Sequence, residues 1–249
     1  MRWVESAEGA DDGIGQVLQI EIKRARLRVE ILKSESDIAA KFELFQRLNT
    51  GGAALTEQEV RNSIAVSLNR PFYDWLVAKS GEGAFKTTTD QTETALERQT
   101  GVELAFRFFA FRSVPYQPGL DVHEYLDQAL MTIAMNPNFD LASEGDVFSR
   151  SFGFLNDALG KNAFKKWNGN TFSGAFLMSV FEVMATGVSR NIEALSQMQS
   201  QARNEFIISA AKDLWANQVF SANSGAGVRG TTRLSRLLPL AAHFLNPNA

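Results

Sequence analysis

Two segments, LERQTGVELAFRFFAFRS (96–113) and NTFSGAFLMSVFEVMATG (170–187), constrain the fold more than any other part of the chain. The first carries Phe106, Phe108, Phe109 and Phe111 and is apolar on nearly every side except for its arginines. A surface helix needs only one apolar stripe, whereas a helix that is apolar most of the way round must be enclosed by its neighbours. Amphipathic segments are present to enclose them. DVHEYLDQALMTIAM (121–135) ends at Asn-Pro-Asn, and SEGDVFSRSFGFLNDALG (143–160) opens on Ser-x-x-Asp and stops at Gly160. Residues 189–220 supply one or two more helices, and TTRLSRLLPLAAHFL (231–245) closes the chain. The expected fold is mainly α, a bundle of about seven or eight helices.

A short β element is expected to precede the bundle. QVLQIEIKRARLRVEILK (16–33) alternates with a change of phase: Leu18, Ile20 and Ile22 share one parity, Ala25, Leu27, Val29 and Ile31 the other. A period of two predicts strand, with a bulge or turn near Lys23–Arg24. Arg24, Arg26 and Arg28 would then share a face, read either as a solvated strand face or as a basic ledge for phosphate. Residues 1–15 are acidic and Gly-bearing and are expected to be disordered.

From Ser34 onward the pattern is helical. Ile38, Phe42, Phe45 and Leu48 follow at helical spacing. Thr56-x-x-Glu59 predicts a capping box opening a second helix with Val60, Ile64 and Leu68 inward. LNRPFYDWL breaks and restarts at Pro71, while KSGEGAFKTTTDQTET (79–94) and SANSGAGVRG (221–230) read as loops. There is no internal repeat and no linker-like stretch, so residues 1–249 are expected to form a single domain.

Composition excludes several functions. The chain has no cysteine, which rules out disulfides, thiolate zinc sites and a cysteine nucleophile. Its only histidines are His123 and His243, too few for a histidine-rich metal site or a histidine-paired nuclease centre. No apolar run reaches the length of a membrane span and the N-terminus has no secretory h-region, so a cytoplasmic location without membrane contact is expected. With 25 basic and 28 acidic residues the net charge is −3, so any nucleic-acid contact has to come from a local basic face.

The richest local chemistry lies in FELFQRLNTGGAALTEQEVRN (42–62). Arg47, Asn49 and Thr50 precede Gly51-Gly52, and Glu59, Arg61 and Asn62 follow on the first turns of the next helix. A glycine pair lets the backbone approach a ligand, the helix start offers unpaired amides and partial positive charge, and Arg47 offers a bidentate donor. These are the ingredients of an anion pocket, although no Gly-x-x-x-x-Gly-Lys-Ser/Thr loop is present. A purely structural helix–turn–helix uses the same residues, with Glu59 capping Thr56, and local chemistry leaves both readings open. Elsewhere, Arg98 and Arg107 sit with Glu97 and Glu103, and Glu103–Arg107 has the spacing of an ion pair within one helix. Arg229, Arg233 and Arg236 stand beside Gly225, Gly227 and Gly230, either as secondary phosphate contacts or as a solvated helix face.

The 42–62 stretch closely resembles the signature of the prokaryotic family named for the N-terminal domain of GmrSD restriction endonucleases, a ParB-like domain of unknown function. That signature runs Phe-x-Arg-Leu-Asn-Thr-Gly-Gly-x-x-Leu-x-x-x-Glu-x-Arg-Asn, matched here by Phe45, Arg47, Leu48, Asn49, Thr50, Gly51, Gly52, Leu55, Glu59, Arg61 and Asn62. Glu103 with LAFRFFAF, FSGAF and TTRLSR also resemble later landmarks of the family. The family's Asp-Gly-Gln-Gln-Arg box, tied to nucleotide binding and hydrolysis, and the HNH nuclease domain of many relatives are both missing. The resemblance therefore implies the second half of such a domain: a partial module of a DNA-restriction or anti-phage defence protein. It would keep one wall of a nucleotide- or DNA-phosphate-binding pocket and lack autonomous catalysis. A nucleotide triphosphate with Mg would belong only to a complete member. The partners implied are DNA or a nucleotide, or a complementary protein half or a second copy. The alternative is a non-catalytic helical protein–protein interaction subunit.

Overall fold

A computed structural model describes residues 15–26, 56–97 and 99–248. The chain divides into two compact units, Met1–Leu48 and Asn49–Ala249.

In the first unit, α1 (Gln16–Arg24) is a helix, which corrects the strand expected from the alternation. A strand needs a partner for its backbone groups, whereas this helix closes them within itself, as Gln19 N does on Gly15 O at 3.1 Å. Lys23 and Arg24 fall in its last turn, where cations meet the negative end of the helix dipole. Arg24 thus ends a helix and does not sit on a strand ledge. Arg28, the rest of the expected β element and the helix expected from Ser34 lie outside the described residues.

The second unit is helical, as the two apolar segments require. In order it contains α2 (Glu57–Leu68), α3 (Arg70–Ser80), α4 (Gly83–Thr89), α5 (Glu93–Glu97), α6 (Thr100–Ser113), α7 (Val122–Ala134) and α8 (Leu141–Leu159). A two-stranded hairpin, β1 (Lys166–Trp167) and β2 (Phe172–Ser173), is followed by α9 (Met178–Arg190), α10 (Ile192–Ser196), α11 (Ser200–Asp213), α12 (Gln218–Asn223) and α13 (Gly230–Phe244). The helices outnumber the seven or eight expected because several are only one or two turns long.

α6 and α9 are the enclosed helices. Every residue from Leu104 to Phe111, and every residue from Ser179 to Ser189, is buried. α6 is covered by α3, α5, α7 and α9; α9 is covered by α6, α8, α10 and most extensively α13. The core between them is aromatic. Trp75 packs on Phe109 at 4.7 Å, Phe109 stacks on Phe148 at 5.3 Å, and Phe148 meets Phe152 at 4.5 Å. Each fully buried ring contributes roughly 1.5–3 kcal/mol through the apolar surface it removes from water.

Two further expectations are corrected. The loop read over 79–94 contains α4, because Phe85 is anchored between Phe148 at 5.2 Å and Phe152 at 4.8 Å. The helix read over 170–187 begins only at Met178. Gly174 at φ 89° breaks the helical path, and the chain before it folds back as β2 on β1, with Trp167 opposite Phe172. Asn168 organises that turn by accepting from the backbone of Asn170 at 3.0 Å and Thr171 at 2.8 Å.

Candidate functional site

α2 starts where the sequence places it. Thr56 Oγ1 accepts from the Glu59 amide at 3.3 Å, and the Glu59 carboxylate in turn accepts from the Thr56 amide at 2.7 Å. That backbone bond, assisted by the Thr56 hydroxyl, holds the Glu59 carboxyl below its usual range.

One turn further, the polar residues of α2 point inward. Arg61 is only 2% exposed, so its charge needs a partner. It finds Asp127 of α7, with Nη1 3.1 Å from the Asp127 carboxylate. Its Nη2 has no hydrogen bond and faces Glu103 of α6 at 3.9 Å. Glu103 is held by Arg107 at 2.6 Å, the pair that the spacing predicts. Burial pushes the Asp127 carboxyl above its ordinary value, and Arg61 works against that shift. Gln58 joins this buried cluster to the surface: it accepts from Arg61 Nε at 3.2 Å and donates to Asn62 Oδ1 at 2.7 Å.

Asn62 in turn donates to the Gln99 side chain. Gln99 adopts a left-handed backbone at φ 56°, a conformation costing an L residue roughly 1–2 kcal/mol, which its surroundings must outweigh. Asn62 and Gln99, with Glu59, Ser63, Val66 and Tyr73, line a recess of about 430 Å³. The structure therefore puts Glu59 and Asn62 on one recess and places Arg61 behind its wall, charge-paired inside the bundle.

The remaining expected residues are placed as follows. Arg47, Asn49, Thr50, Gly51 and Gly52 lie outside the described residues. Arg229 and Arg236 are exposed at the start and on the outer side of α13. Arg233 turns inward and grips Glu182 of α9 with Nε at 2.8 Å and Nη2 at 3.0 Å, so the three arginines do not gather into one cationic face.

Gln58, Ser63, Tyr73, Gln99 and Asp127 belong to the site without having been singled out by sequence. Gln58 had a detectable signal, since it lies one helical turn before Asn62. Gln99 and Asp127 had none, because they reach the site from distant positions. Among the described residues no group of three or more His, Asp or Glu side chains could hold a metal ion, and no helix is long and apolar enough to cross a membrane.

Comparison with known proteins finds no matching family model, no similar curated protein and no similar solved structure.

Proposed function

We propose that this chain is a non-catalytic helical module of a prokaryotic DNA-restriction or anti-phage defence system, and that it binds a nucleotide or DNA phosphate beside the start of α2. The observation that carries this reading is Asn62. It is the last residue of the eleven-position resemblance that begins at Phe45, and it lines the 430 Å³ recess with its carboxamide fixed by Gln58 and Gln99. Its Nδ2 retains a second hydrogen for a ligand. The resemblance further implies phosphate contacts from Arg47, Asn49, Thr50, Gly51 and Gly52, which lie outside the described residues. Arg61 acts from behind by fixing Gln58, which in turn sets Asn62. Isothermal titration of ATP, GTP and duplex DNA tests this on wild type, Arg47→Ala and Asn62→Ala. Binding in wild type that is lost in both variants is expected; heats that are negligible throughout, or the same in all three proteins, refute it.

A second reading, a protein–protein interaction subunit, draws on α1. Its Val17, Leu18, Ile20 and Ile22 are 71%, 49%, 42% and 56% exposed, an unusual density of bare aliphatic surface on nine residues. Light scattering that reports a monomer at every concentration speaks against self-association through it.

A further inference from the structure

The hairpin carries a second recess, on a different part of the unit from the α2 recess. About 320 Å³ in volume, it is lined by Trp167, Asn170, Thr171 and Phe172 of the hairpin, Asn162 just after α8, and Lys212 of α11. Trp167 and Phe172 form a ring pair at 4.8 Å, tilted by 49°; both are half-buried and both line the recess. The Lys212 ammonium stands 5.0 Å from the centre of the Trp167 ring, and Lys166, on the neighbouring strand position, reaches over Trp215 at 6.0 Å. Among the described lining residues the only charged group is this lysine; the nearby carboxylates of Asp157 and Asp213 lie outside the recess, and Asp213 accepts from Ser209 at 3.1 Å.

We infer that this recess binds one nucleotide unit. The Trp167 and Phe172 rings, tilted 49° to one another, each offer a face on which any base can stack, and the flexible Lys212 side chain, which lies over the Trp167 ring, swings aside to meet the attached phosphate. Asn162, Asn170 and Thr171 supply donors and acceptors for a base edge or a ribose hydroxyl. The lining contains none of the carboxylates that would accept hydrogen bonds from a neutral sugar, and its one charge is positive, so a base carrying a phosphate fits better than a polyol. The volume falls at the small end of ligand pockets, about 300–1,000 Å³, which suits a single unit and not a duplex. Free mononucleotides and single-stranded nucleic acid share this chemistry.

Fluorescence anisotropy of a labelled oligothymidylate about ten nucleotides long tests the site, with AMP and inorganic phosphate as competitors. Trp167→Ala is expected to weaken binding about tenfold or more, the loss of one stacked base. Lys212→Glu is expected to weaken it and to flatten its salt dependence, also in an Asn62→Ala background that removes binding at the α2 recess, while Arg70→Ala, an exposed cation lining neither recess, leaves it unchanged. Lys212 is exposed on its helix, so its substitution stays informative if loss of Trp167 loosens the hairpin. Displacement by AMP identifies a mononucleotide site, and displacement by unlabelled strand alone identifies a nucleic-acid site; both uphold the assignment. It is overturned if wild type binds neither probe, if inorganic phosphate competes as well as AMP, or if Trp167→Ala and Lys212→Glu bind as tightly as wild type in the Asn62→Ala background.

Discussion

Arg233→Met isolates one buried interaction whose consequences can be worked through in both energy and pH. Glu182 is fully buried in α9, and among the described residues the only cation bonded to it is Arg233, through a bidentate pair at 2.8 and 3.0 Å. Burial pushes the Glu182 carboxyl up; Arg233, and then Arg107, pull it back. Removing one member of a buried pair costs about 3–5 kcal/mol, and because Arg233 is 23% exposed the lower end applies, about 3 kcal/mol. For a unit of this size each kcal/mol moves the melting midpoint by roughly 2–4 °C, so a fall of roughly 6–12 °C is expected at neutral pH.

The pH dependence gives an independent check. A carboxyl whose folded pKa exceeds its ordinary 4.5 binds more protons in the native state than in the unfolded one. Stability contributed by that group therefore falls as pH rises through the interval between the two values, and returns as pH falls. Without Arg233 the folded value rises further and the interval widens. Circular-dichroism melts should show the deficit of Arg233→Met shrinking from neutral pH toward 4.5, and the double variant Glu182→Gln/Arg233→Met should recover most of the loss at neutral pH. If the single variant melts with wild type, or its deficit grows on acidification, the buried-pair reasoning is wrong.

Two further substitutions probe packing and capping. Gly187→Ala should cost about 1–3 kcal/mol in urea unfolding, because its Cβ would meet the Ala241 carbonyl of α13 at 2.9 Å and Leu245 at 2.7 Å, and a backbone oxygen cannot swing aside. Thr56→Ala should cost about 0.5–2 kcal/mol in the same assay by opening the capping box at the recess; an unchanged midpoint would mean that α2 does not depend on its cap.

What the sequence discloses follows the range of the interactions. The Thr56–Glu59 box, the Glu103–Arg107 pair and the stop at Gly160 all form within four residues, so spacing alone locates them. The enclosure of α6 and α9 was legible too, because a residue composition that is apolar on all sides leaves no exposed face to assign. Where one distant contact decides a short segment, local reading fails. α4 looks like loop until Phe85 is placed between Phe148 and Phe152, more than sixty positions away on α8. The hairpin did leave a trace, Asn168-Gly169 between Trp167 and Phe172, but the apolar run after it resembles a helix continuing backwards past Gly174.

The site divides along the same line. Glu59 and Asn62 could be placed on one helix from their spacing, yet what they do is set by partners that spacing cannot reveal. Asp127 is 66 positions from Arg61 and Gln99 is 37 from Asn62, and each reverses a plausible local reading. An arginine next to an asparagine on the first turns of a helix looks like a ligand pair. Once Asp127 is packed behind α2, the arginine becomes the buried counter-charge and the asparagine alone faces the recess. The same reversal holds at α13, where three arginines that share a stretch of sequence part company because the buried Glu182 draws Arg233 inward. Buried carboxylates, each needing a counter-charge, thus decide which arginines of this chain remain free to meet a ligand.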